Sequence, residues 1–238
     1  MSRTPSTTTT SRAGSPAGRR TDHLICDDPP TQRALLAEAD PVAGARMLLG
    51  ATLRVDDVAL RITEVEAYGG PEGGPWPDPA AHSYRGRTAR NTVMYGPAGH
   101  LYVYRSYGLH HCANISIGPD GVAGAVLLRG AQVLSGEETV RIRRTPGIAT
   151  PNLARGPGNL AEALGLTLDD NGLDVFGAPS RVRLVLGTGD APNEVEAGPR
   201  VGIAQAADRP WRLWIPGAVG VSAYRRSPRA PVAKPRMG

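Results

Sequence analysis

Glu64-Val65-Glu66-Ala67-Tyr68 sets two carboxylates and a phenol two residues apart, the spacing that puts all three on one face of an extended strand. Further on, Ala80-Ala81-His82-Ser83 adds an imidazole, and Leu101-Tyr102-Val103-Tyr104-Arg105-Ser106-Tyr107-Gly108 adds a crowd of tyrosines. A carboxylate can activate a water, and rings beside it can stack a flat aromatic ligand. Between Pro79 and Pro119 there is no Asp or Glu. That stretch holds Arg85, Arg87, Arg90 and Arg105, four of the five histidines and five of the seven tyrosines. A basic, ring-rich block after a carboxylate strand suits work on a nucleic acid, with the four arginines against its backbone.

Glu66 is the candidate general base. With a ring on its own strand face and Arg and His facing it, water and a flat base can be held together, as hydrolysis of an N-glycosidic bond requires. The ordinary use of Glu-x-Glu is a solvated strand face. A sugar glycosidase needs two carboxyls flanking the scissile bond, whereas Glu64 and Glu66 lie on one side with Cα atoms about 7 Å apart. One is therefore read as catalytic and the other, Glu64, as structural.

Tyr104 and Tyr107 are three apart, so they are not equivalent strand positions, and Gly108 implies a turn that throws Tyr107 to a hairpin tip. A tip tyrosine is a candidate wedge for a duplex; the alternative is packing of the hairpin on the core. His82 can donate to a base edge or a phosphate, or serve structurally. Asn114 offers a donor and an acceptor that would read a purine substituent, or would bond within a turn. Arg129 follows Val126-Leu127-Leu128, and is either buried beside a carboxylate or an exposed strand end.

The composition bounds these readings. At 238 residues with 40% apolar and 21% charged residues, a soluble globular domain is expected. Phe176 is the only phenylalanine, so the core must be built from Val, Leu, Ala and Ile, and each tyrosine gains interest. The net charge of +5 comes from the ends: residues 1–20 and 225–238 together carry nine positive charges and no acid, leaving a body near −4. Cys26 and Cys112 are too few for a multi-cysteine zinc site, and His110-His111 on a strand point to opposite faces, so no metal and no cofactor are expected. No apolar run approaches 18 residues, so no membrane partner is expected. Lys234 is the only lysine, and strand-cleaving glycosylases use an amine to form a Schiff base, so water alone is expected to do the chemistry.

These side chains must be positioned by a mixed fold. Residues 1–28 read as a disordered Ser/Thr/Arg-rich tail, 29–225 as one domain and 226–238 as a basic disordered tail. Thr31–Ala39 and Val42–Leu49 have helical spacing, with Asp40-Pro41 as cap and first helical residue. Ala51–Val55 and Ala59–Tyr68 read as a hairpin turning at Asp56-Asp57, with Ile62, Glu64, Glu66 and Tyr68 on one face. His100–Ser106 and Cys112–Ile117 form a second hairpin around Tyr107-Gly108-Leu109. Ala123–Arg129, Arg181–Leu186, Arg200–Ala204 and Trp211–Ile215 read as strands, and Gly136–Arg144 and Asn159–Leu164 as helices. The order is α+β, a mostly antiparallel curved sheet with surrounding helices and a protruding hairpin, without βαβ alternation.

Taken together, Glu64–Tyr68, Ala80–Ser83, Arg90-Asn91, Leu101–Tyr104, Tyr107-Gly108, Asn114-Ile115-Ser116, Val126–Arg129, Gly156-Pro157 and Arg200-Val201-Gly202 resemble the alkyladenine (3-methyladenine) DNA glycosylase family, in order over about residues 35–225. The resemblance implies a monofunctional enzyme of base excision repair. It would flip an alkylated or deaminated purine out of double-stranded DNA, working as a monomer in the cytoplasm, at the nucleoid in a bacterium. It implies that Tyr107 fills the gap and that Tyr68, His82 and Tyr104 line the base pocket. It further implies that Glu66 activates water with help from Arg129 and the main chain of Val201, and that Asn114 disfavours guanine by crowding its amine. The loop Gly69–Ala81 is longer than the family pattern, and its Trp76 either extends the DNA-facing surface or covers the core. From another class, a noncatalytic nucleic-acid module would use the same basic, aromatic block.

Overall fold

The computed structural model of the protein describes Met1 and residues 28–187 and 194–231; most of the two expected tails, with Lys234, lies outside the described residues. Of the C-terminal segment, Arg226 pairs with Asp208 at 3.1 Å and Ser227 is buried. Two short helices open the fold, α1 (Pro29–Glu38) and α2 (Pro41–Leu48), each capped by the aspartate before its proline. Asp40 accepts from the amides of Val42 and Ala43, so two of the free N–H groups at the start of α2 are satisfied.

Strands β1 (Thr52–Val55) and β2 (Val58–Tyr68) form the first expected hairpin. β3 (Leu101–Ser106) and β4 (His110–Ser116) form the second, and β5 (Ala125–Ser135) follows. Helices α3 (Glu137–Arg143) and α4 (Pro157–Leu164) come next, and α4 packs on β4 and β5. Strands β6 (Val182–Val185), β7 (Glu196–Gly198) and β8 (Arg212–Trp214) complete an antiparallel sheet ordered β3-β4-β5-β2-β1-β6, with β8 against β2 and β7 against β8. The α+β expectation of a curved sheet with flanking helices holds.

β2 is the axis of the sheet. β5 takes one of its edges over residues 59–68, while β1 and then β8 take the other. Both backbone edges being occupied, its side chains are enclosed by neighbours on either side. The register against β5 shifts between Ile62, Glu64 and Val65. This irregularity changes the face assignment: Val58, Leu60 and Ile62 enter the aliphatic core, then Val65 and Ala67 do. Ile62 therefore belongs with the core side, and Glu64, Glu66 and Tyr68 project away from Val65 and Ala67.

Residues 200–204 are turn and irregular chain rather than the expected strand, and the strand of that region is β7. Gly202 sits at φ +71, a conformation that interrupts extended pairing, and the side chain of Arg200 is committed elsewhere. Trp76 packs against the core, its ring in the space that a Cβ at Gly118 would enter at 2.8 Å. Of its two expected uses, covering the core is the one observed. Among the described residues no helix is long and apolar enough to cross a membrane, and no group of three or more His, Cys, Asp or Glu is arranged to hold a metal ion.

Candidate active site

A cleft of about 610 Å³ opens over the C-terminal end of β2, within the range of small-molecule sites. Glu66 lines it while being fully buried as a residue. Its Oε1 accepts from the Val201 amide at 2.7 Å and lies 3.3 Å from Arg129 Nη1, and its Oε2 accepts from the Tyr68 hydroxyl at 2.8 Å. Three elements thus fix one carboxylate: β2 itself, β5 and the turn after Arg200. The turn matters because a paired strand would commit the Val201 amide to a neighbour.

Burial first, and then the charge of Glu66, pushes the Tyr68 phenol well above its usual range, so it stays protonated and donates. Arg129 is buried beside carboxylates, which decides between its two sequence readings. Burial opposes its charge, but Glu66 and Glu64 outweigh that and raise its pKa. Its Nε also donates to Glu64 Oε1 at 3.1 Å. Glu64 accepts as well from Arg212 Nε at 2.6 Å, the Ser222 amide at 2.7 Å and the Ser222 hydroxyl at 2.9 Å. It has no place in the cleft lining.

Across the cleft stand the rings. His82 and Tyr104 meet edge to face with centroids 4.6 Å apart, and His82 Nδ1 lies 3.0 Å from the Tyr102 hydroxyl. His82 is exposed as a residue, its ring partly enclosed by Tyr102 and Tyr104. That enclosure, followed by the charge of Arg90, lowers its pKa, so the ring is neutral at pH 7. Tyr104, Asn114 and Tyr68 line the same cleft. Asn114 is buried, and its Nδ2 donates to the Tyr102 carbonyl at 3.0 Å, which leaves Oδ1 without that commitment.

The hairpin turn closes through the Leu109 amide on the Ser106 carbonyl at 3.0 Å, with Tyr107 at φ +48 and Gly108 at φ +71. Two successive left-handed residues make a turn whose twist matches the strands it joins. The Tyr107 side chain is left 94% exposed at the rim of the cleft. Arg90 and Arg105 also line the cleft, and the Arg90 guanidinium sits 5.6 Å from the Tyr104 centroid. Arg85 and Arg87 are exposed outside it, Arg87 lying 5.7 Å from the Tyr95 ring.

Three features escaped the sequence reading. Tyr102 holds His82, and its alternation with Tyr104 along one strand was the available signal. Arg212 and Ser222 complete the surroundings of Glu64, with no local signal at all. Asp78 and Arg200 form a fully buried pair beneath Tyr68, hinted at only by the acid flanked by Pro77 and Pro79.

The sequence profile of the family described as Methylpurine-DNA glycosylase (MPG) matches residues 35–219. The chain is 60% identical over 204 residues to a protein of Rhodococcus jostii (strain RHA1), covering 85% of this chain and 90% of that one. It is 58% identical over 194 residues to a protein of Nocardia farcinica (strain IFM 10152), covering 82% and 92%. Against a protein of Mycobacterium tuberculosis (strain ATCC 25177 / H37Ra) it is 58% identical over 192 residues, covering 81% and 93%. Each of the three carries the provisional name 3-methyladenine DNA glycosylase.

Proposed function

Because this chain belongs to the methylpurine-DNA glycosylase family, and is thereby a DNA glycosylase of base excision repair, we propose that it excises alkylated and deaminated purines from duplex DNA by hydrolysis with water alone. The observation that carries this reading is Glu66: a carboxylate lining a cleft, its orientation fixed by donors from Tyr68 and Val201 and by the charge of Arg129. Glu66 takes a proton from a water whose oxygen bonds to C1′ of the sugar. The electrons of the N-glycosidic bond leave with the purine, giving free base and an abasic site.

Tyr68 forms one wall of the base pocket, and His82 and Tyr104 form the other. A neutral His82 does not repel a cationic alkylpurine, which is already a good leaving group. Asn114 crowds the exocyclic amine of normal guanine. Tyr107 enters the duplex and occupies the space of the flipped nucleotide, offsetting part of an unstacking cost of about a few kcal/mol. Arg90 and Arg105 at the cleft, with Arg85 and Arg87 beyond it, meet the phosphates. No lysine stands in residues 1–233 to form a Schiff base, so no strand cleavage follows base release. The enzyme acts as a monomer wherever the chromosome lies, in the cytoplasm of a bacterium.

The test is incubation with duplexes carrying 3-methyladenine, 7-methylguanine, ethenoadenine or hypoxanthine, followed by alkali. Free base with alkali-dependent strand breaks is expected from at least the alkylated purines. Breaks before alkali would overturn the water-only mechanism, and no base from any duplex would overturn the substrate class.

A further inference from the structure

We infer that Arg200 and Asp78 are a positioning pair for this reaction, setting the Tyr68 ring and the Val201 amide against Glu66. The proposal rests on the reading of Glu66 as the base. The pair is bidentate, Nη1 to Oδ2 at 2.6 Å and Nη2 to Oδ1 at 2.8 Å, with both side chains wholly enclosed. Two ions out of water are a costly way to fill a core, and well-packed apolar side chains do as well or better for stability. What distinguishes this pair is the set of groups it holds.

Arg200 Nη1 also donates to the Ala67 carbonyl at 2.9 Å, and its guanidinium carbon lies 4.6 Å from the centroid of Tyr68. Arg200 is absent from the cleft lining that includes Tyr68, so it backs the ring from behind. Asp78 accepts from the amide of Gly69, next after Tyr68, at 3.1 Å, and from the amide of Ala80, two before His82, at 3.2 Å. The residue after Arg200 supplies the amide on Glu66 Oε1. One ion pair therefore ties the end of β2, the backing of one pocket wall, both ends of the loop leading to the other wall, and a donor on the base. Misplacement by about 1 Å in such a constellation costs on the order of 100-fold in rate.

Arg200→Lys keeps the charge but loses the planar fork. It is compared with Asp78→Asn and Glu66→Gln, measuring single-turnover base release, dissociation constants for lesion duplex, and folded fraction. The expected result for Arg200→Lys is base release slower by about 10- to 100-fold, with lesion binding within about threefold and the protein folded. Asp78→Asn gives the same split should Arg200→Lys not fold. Unchanged base release in the folded variants, while Glu66→Gln is inactive, overturns the positioning role. A rate that falls only in step with the folded fraction or with DNA binding overturns it too. Full activity in Glu66→Gln overturns the base reading, and this proposal with it.

Discussion

Glu64 and Glu66 stand two residues apart on one strand, both out of contact with solvent, yet their surroundings are opposite. Glu64 is met on both oxygens by Arg129, Arg212 and Ser222 and does not line the cleft. Glu66 is held by fewer groups and presents itself to a cleft. The same residue type in the same strand is enclosed by donors in one place and, in the other, lines a cleft where the proposed mechanism uses it as the base. What separates them is which distant segments lie across from each. Arg129 touches both, so it transmits the rigidity of the first to the second.

The contrast is broken most severely by Glu66→Gln, expected to slow base release by about 10³-fold while lesion-duplex binding and thermal stability are kept, checked by single-turnover assay and calorimetry. Glu64→Gln should do the reverse. Breaking a buried network costs about 3 kcal/mol of stability, read by urea unfolding, while the rate per folded molecule falls by roughly tenfold or less. Tyr107→Ala tests whether the exposed tip belongs with the reactive side. Base release from duplex should fall by about tenfold while release from single-stranded substrate and the unfolding midpoint stay put.

The smallest effect concerns a third enclosed carboxylate of the anchored kind. Burial pushes the Asp78 pKa up, but the bonds and charge of Arg200 and the amides of Gly69 and Ala80 outweigh it and hold the pKa low. A lowered folded-state value means the contribution is complete above the unfolded pKa of about 3.9 and is lost as pH falls through the folded one. The unfolding midpoint should therefore be insensitive to this group above about pH 4, and Asp78→Asn should remove part of the decline below it.

These contrasts also mark what a sequence can carry. The Asp40-Pro41 cap, the Asp56-Asp57 turn and the Tyr107-Gly108 tip are local events, and each was readable from a few neighbouring residues. The shared face of Glu66 and Tyr68 followed from strand alternation, but the register shift at Glu64 took Ile62 off it, because bulges depend on the partner strand. Residues 200–204 read as a strand, whereas Arg200 is drawn to an aspartate 122 residues earlier. Arg212 and Ser222 reach Glu64 across separations of 148 and 158 residues, and no periodicity encodes such meetings.

That last separation also sets a schedule. The amide and hydroxyl of Ser222 that complete the setting of Glu64 are made 158 residues after it. At about 5–20 residues per second the delay is on the order of 10 s. Until then Glu64 lacks Arg212 and Ser222, though Arg129, made 65 residues after it, is already in the chain for most of that time. The segment through Gly220 then closes against β5, where the absence of a side chain at Gly220 and Gly130 is what lets the backbones meet. Glu64 therefore gains its full set of partners only after Ser222 has been made, and a chain cut short before Ser222 holds both glutamates without the frame around the first.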